Sequence, residues 1–326
     1  MELRWINFLK GLSIIAVVLD HLYGIIYSSP NAHLLTIFSV TLFVVLSGVT
    51  SAISNERSVL TFSDYIKKKF ISIFIPYLIA TFVYHIYSNN YYFNFDLFFS
   101  QIIKFNAADP FYFIFFYLQL IFLSRFLYKL FLNRPVYQQA GLLLIIYLIC
   151  EYTNNYTQLP YVLGAGKLFG GSYLFAFCVG IVFYINYKSI SKITRKWYAL
   201  TLIFSAAVLV CFIKYDLIQK SWANPPNKYT LFYSLFVAIF FISLFELSRR
   251  LWVNKLYLPI EWIGKFSLYT FLYHLLFIRI GISLLSKNYY MFTDKIFLFC
   301  IAILPCLLIG IATTYKKKIS SILFRN

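Results

Sequence analysis

Long uncharged apolar runs recur from one end of the chain to the other, separated by short polar connectors. A helix needs roughly 20 apolar residues to cross a hydrocarbon core of about 30 Å. Ten runs fit, at about 5–27, 33–54, 70–88, 110–132, 138–152, 168–187, 196–214, 228–247, 262–285 and 294–315. The fifth is short and would lean on Tyr152 or Tyr156 at the interface. Connectors such as Ser29-Pro30-Asn31 and Asn224-Pro225-Pro226-Asn227 hold the residues that end helices. The pattern predicts an all-α polytopic membrane helix bundle of about ten transmembrane helices, as one domain over 1–326.

Charge gives the orientation. Lysine and arginine gather at the ends of the runs. With the N-terminus in the cytoplasm, the inner segments and span ends carry roughly three times as many as the outer ones, with Arg279 left uncounted inside a run. Both termini are therefore expected in the cytoplasm, and the chain in the plasma membrane as a multi-pass protein. The N-terminus has no small-residue cleavage site and reads as an uncleaved signal-anchor. Glu56 to Lys69 is expected to lie along the inner surface, and Tyr91 to Phe105 to cover the outer mouth of a cavity.

Composition excludes several classes. Of 326 residues 61% are hydrophobic and only 12% charged, where a soluble protein has about a quarter charged. The net charge of +18 would suit nucleic acid, but its position at helix ends argues against that partner. Cys150, Cys178, Cys211, Cys300 and Cys306 lie in or beside apolar runs without metal-ligand spacing, so neither a metal nor a disulfide framework is expected. No internal repeat is visible, and no Walker loop, Rossmann glycine pattern or nucleophile elbow occurs. Gly164-Ala-Gly166 and Gly170-Gly171 read as an external loop and a helix start.

Candidate chemistry concentrates in the first run, which carries Lys10, Asp20 and His21. Ionisable groups in hydrocarbon are costly and usually face a polar cavity. Lys10 and His21 are eleven residues apart, close to three helical turns, so they share one face about 16 Å apart. Asp20 points roughly 100° away from His21. His21 can act as a general base near neutral pH or carry an acyl group. Asp20 would orient its ring or bias its pKa upward. Lys10, near the inner interface, either meets a phosphorylated ligand or snorkels. Ser267, Thr270 and His274 form a polar stripe on a late helix. There His274 either serves the site or hydrogen-bonds between helices. Lys10 and His21 are expected to look into one continuous polar channel.

Leu9-Lys10-Gly-Leu-Ser-Ile-Ile-Ala-Val-Val-Leu-Asp-His21 resembles the opening of the acyltransferase family 3 membrane proteins, whose signature is a basic residue, ten others and a histidine. Val40-Thr-Leu-Phe-Val-Val-Leu-Ser47-Gly48 is similar to the family's second helix, and Tyr65-Ile-Lys67-Lys68-Lys69 through Pro76-Tyr77 to its basic segment. Tyr112-Phe-Ile-Phe-Phe-Tyr-Leu-Gln119-Leu is similar to a further family segment. Trp262-Ile-Gly264-Lys265-Phe-Ser267 through Tyr273-His274 is similar to its late helix. Lys10 stands where the family commonly has arginine, which gives up the bidentate fork for phosphate.

The resemblance implies a stand-alone O-acyltransferase of ten spans. Its co-substrate would be acyl-CoA, acetyl-CoA above all, with no permanently bound cofactor. It implies donor binding by Lys10, Lys68 and Lys69, catalysis at His21 with Asp20, and a site shaped by Ser47, Tyr273 and His274. The acceptor would be a hydroxyl of a cell-surface glycan or glycolipid, with membrane lipid as surroundings. The alternative is an exporter or flippase for a polysaccharide or lipid-linked sugar, with His21 and Arg279 lining the path.

Overall fold

The computed structural model describes residues 4–156, 173–190, 194–218, 226–248, 253–285 and 291–323. Among them the chain is helical throughout, with no strand. The helices are α1 Arg4–His21, α2 Pro30–His33, α3 Ser39–Arg57, α4 Phe62–Ser88, α5 Phe95–Lys104, α6 Tyr112–Phe131 and α7 Val136–Tyr156. They continue with α8 Tyr173–Ile190, α9 Arg195–Lys214, α10 Lys228–Ser248, α11 Leu258–Lys265, α12 Ser267–Leu285 and α13 Phe292–Leu323. The loops and charges read at Gly164 to Gly171, Lys192, Lys220, Asn224-Pro225, Arg249, Arg250, Lys287 and Arg325 lie outside the described residues.

Seven described helices are long and apolar enough to cross a membrane: α4, α6 with its preceding turn, α7, α9, α10, α12 and α13. The other three of the ten runs are α1, α3 and α8. The α1 helix carries Arg4, Lys10 and Asp20, and α3 is dotted with Ser, Thr and Asn. In α8 the apolar stretch is only Tyr173–Tyr187. Burial accounts for the polarity of the first two. Twelve of the 19 residues of α3 are buried, as are most of α1, whereas α7 buries only Gln139 and Cys150. A helix ringed by protein needs no lipid-compatible surface, so its polar groups can face its neighbours.

Several boundaries differ from the sequence reading. The first run stops at His21, where Leu22 to Tyr27 turn and Gly24 takes a left-handed φ of 83° that a side chain would strain. The lysines of 67–69 lie in the first two turns of α4, not on a separate surface helix, because Thr61 caps that helix by accepting from the Asp64 N–H. The fifth run is a full 21 residues, since its polar flanks continue the helix. The ninth is broken at Phe266 into α11 and α12. Tyr91 to Phe105 supplies an exposed helix, α5, tied to α4 through Tyr77, whose hydroxyl donates to the Ile102 carbonyl at 2.9 Å.

Packing fixes α1 at the centre, against α3, α10, α11, α12 and α13. Its contact with α11 is backbone to backbone. A Cβ placed on Gly264 would overlap the Asn7 carbonyl oxygen, and one on Gly11 would overlap that of Ile260. Arg4 locks the same pair of helices by donating to both carboxylate oxygens of Glu261, at 2.7 and 2.9 Å. Because the overlap is with backbone, Gly264→Ala is expected to cost about 1–3 kcal/mol. It should lower the melting temperature of the detergent-extracted protein. Gly141→Ala, whose added Cβ meets open space, should not.

Candidate active site

Two polar assemblies lie along α1, one around Lys10 and one around His21. Lys10 lines a cavity of about 120 Å³. Ser47 of α3, Tyr117 of α6 and Ser267 at the start of α12 supply its other polar groups. The Ser47 hydroxyl donates to the Phe43 carbonyl at 2.7 Å, and Tyr117 pairs with Ser47. Lys10 itself has no hydrogen bond and no carboxylate among the described residues. It feels the charge of Lys69, which in turn feels that of Lys68. Lys68 is exposed and Lys69 half-buried, with its ammonium 5.8 Å from the centre of the Tyr65 ring. The three lysines thus form a ladder of like charge from the surface to the cavity. Such an arrangement is costly without an anion.

At the other end of α1, the rings of His21 and His274 are 5.0 Å apart at 50°. His274 is wholly buried. Its Nδ1 lies 2.9 Å from the Thr270 carbonyl and 3.0 Å from that of Phe271. Both neighbours are acceptors, so Nδ1 must carry the proton and donate, and Nε2 is a bare lone pair. That Nε2 has no partner among the described residues, nor does the buried hydroxyl of Thr270. The charges of Asp20, Asp109 and Arg279 all reach His21. This pair therefore offers two imidazoles and a hydroxyl beside a mixed-charge rim.

Asp20 sits elsewhere than the sequence suggests. Its Oδ1 is 2.9 Å from His33 Nδ1 and accepts from the Thr36 hydroxyl at 3.0 Å. Tyr23 packs on the His33 ring at 5.5 Å. Consecutive helix side chains diverge, so Asp20 turns toward the returning loop while His21 turns inward. Tyr273 is buried near Tyr84, Tyr269 and Cys306, and it does not line the Lys10 cavity. Ser47 lies in the Lys10 cavity, not beside His21.

The Lys10 cavity does not itself extend to His21, where the sequence reading expected one continuous polar channel. Phe43, Phe113 and Phe271 wall the Lys10 cavity, and His21 does not line it. Phe271 stands 4.9 Å from Phe113 on one side and 6.3 Å from the His274 ring on the other. Phe271 thus belongs to the wall of the Lys10 cavity and also packs toward the imidazole pair. Nothing in the sequence distinguishes this phenylalanine among 37. His33, Thr36 and Asp109 also escaped the reading, because they meet α1 only through the fold.

No curated protein and no solved structure matches the chain. The family profile described as "Acyltransferase domain", that of acyltransferase family 3, matches residues 3–315, nearly end to end and across both assemblies. With seven membrane-crossing helices and a match of that extent, the chain belongs to acyltransferase family 3, a family of membrane acyltransferases.

Proposed function

We propose that this protein moves an acyl group, acetyl in the first instance, from cytoplasmic acyl-CoA to a hydroxyl of a cell-surface glycan or lipid-linked sugar. It does so in the plasma membrane, through ten crossings with both termini inside. The observation that carries this reading is the run of lysines ending at a half-buried cation in a cavity without a counter-ion among the described residues. The phosphates of CoA are a matching anion, and the charge-assisted bonds they accept are among the strongest available. The α1 helix then carries the line of the donor's arm toward His21, about 16 Å further on.

The chemistry assigned to the imidazole end is a single displacement. His21 takes the proton of the acceptor hydroxyl as its oxygen attacks the thioester carbonyl. The new C–O bond forms, the C–S bond breaks, and the CoA thiolate leaves with the proton that His21 returns. His274 presents its Nε2 lone pair beside His21, where it can accept a hydrogen bond from the ring or from the incoming hydroxyl. Phe271 must turn aside for the arm to pass. The rings of Phe43 and Phe113 otherwise keep cytoplasmic water from the thioester.

The test is reconstitution of the purified protein in liposomes with labelled acetyl-CoA and a glycan or glycolipid acceptor. Transfer of label to the acceptor, or slow hydrolysis of the thioester without one, is the expected result. An exporter or flippase would neither bind nor consume acetyl-CoA, and that outcome would replace this reading.

A further inference from the structure

A second cavity lies on the flank of the bundle between α4 and α6. Its volume is about 620 Å³, five times that of the Lys10 chamber, and its walls are aromatic and aliphatic apart from one glutamine. Ile66, Phe70 and Phe74 line it from α4 at a spacing of four, and Phe105 is at its far end. Phe70 is 42% and Phe122 56% exposed, so the cavity opens sideways, toward lipid in a membrane-spanning chain. Apolar walls of this kind do not hold water, and their unmet contacts favour a hydrocarbon occupant.

Polar groups follow in a definite order along α6. Gln119 belongs to the cavity wall, and its Nε2 is a buried donor with no acceptor among the described residues. Six residues on, about 9 Å along the axis, Arg125 donates to the Leu60 carbonyl at 3.0 Å. That bond, with the 5.9 Å contact of the Phe62 and Phe122 rings, sets the start of α4 and the end of α6 at one level. Lys67 and Lys68 of α4 and Lys129 of α6 are exposed there. The one carboxylate in that turn of α4, Asp64, already accepts from Thr61 at 2.6 Å. The cations thus stand at the surface end of the apolar trough, and the buried amide donor lies within it.

We propose that this groove is a binding site for one anionic glycerophospholipid. Its phosphate sits among Lys67, Arg125 and Lys129. A chain-ester carbonyl accepts from Gln119, and the fatty chain lies along Ile66, Phe70 and Phe74. Clustered basic residues at a membrane surface select anionic headgroups in this way. The site requires only that the chain lie in a bilayer and does not depend on acyl transfer.

The test is lipid retention by the full-length protein, read by native mass spectrometry after partial delipidation. Phosphatidylglycerol should be retained about tenfold over phosphatidylcholine with the same chains. Ester-linked phosphatidylglycerol should be retained several-fold over its ether-linked analogue, which lacks the carbonyl. Lys67→Gln with Lys129→Gln should abolish the headgroup preference, and Leu118→Trp should reduce retention of both lipids by filling the trough. Equal retention of the two headgroups by the unaltered protein would overturn the site. Equal retention of ester and ether lipids would remove Gln119 from it. Because no turnover is measured, failure here leaves the acyl-transfer reading standing, and the reverse also holds.

Discussion

His21→Ala is expected to reduce acyl transfer by about a hundredfold to ten-thousandfold, the span of positioned acid–base groups. The KM for acyl-CoA should stay within a few-fold. The split follows from the geometry. His21 does not line the Lys10 cavity, so its loss removes no contact to the donor's charged end. It removes the ring beside His274 that would take the acceptor's proton. The measurement is labelled acyl transfer in liposomes at matched amounts of folded protein, with kcat and KM determined separately. An unchanged kcat would take His21 out of the chemistry. An equal rise in KM would place it in donor binding instead.

Much of this was legible before any coordinates. The apolar runs announced the helices, because lipid forces every spanning backbone group to bond internally. The cost of charge in hydrocarbon pointed to Lys10 and His21. The 3.6-residue period put Thr270 and His274 on one stripe, and that stripe is where the unpartnered Thr270 hydroxyl and His274 Nε2 are found. What escaped was tertiary. Asp20 is next to His21 in sequence, yet its partner is His33, on a loop that folds back to it. The break at Phe266 follows from α11 pressing Gly264 against α1, a contact between residues more than 250 apart in sequence. Phe271 became visible as a wall of the Lys10 cavity only once α6 and α12 were packed together.

Lys10→Gln is expected to raise the KM for acyl-CoA by about 10- to 100-fold, with kcat within a few-fold. A charge-assisted bond to phosphate is worth about 1.5–3 kcal/mol, and each 1.4 kcal/mol is a factor of ten. Lys10→Arg keeps the charge and should keep most of the affinity. Stability should move the other way. Lys10 is a cation without a counter-ion, held beside Lys69, so neutralising it relieves a cost that the donor's phosphates would otherwise offset. Without donor, Lys10→Gln should therefore melt at a higher temperature than the unaltered protein, and added CoA should stabilise it less. A lysine that merely snorkels would change neither quantity, and one that holds the fold together would lose stability on substitution. Only a cation kept for a bound anion gives weaker donor binding together with a firmer empty protein.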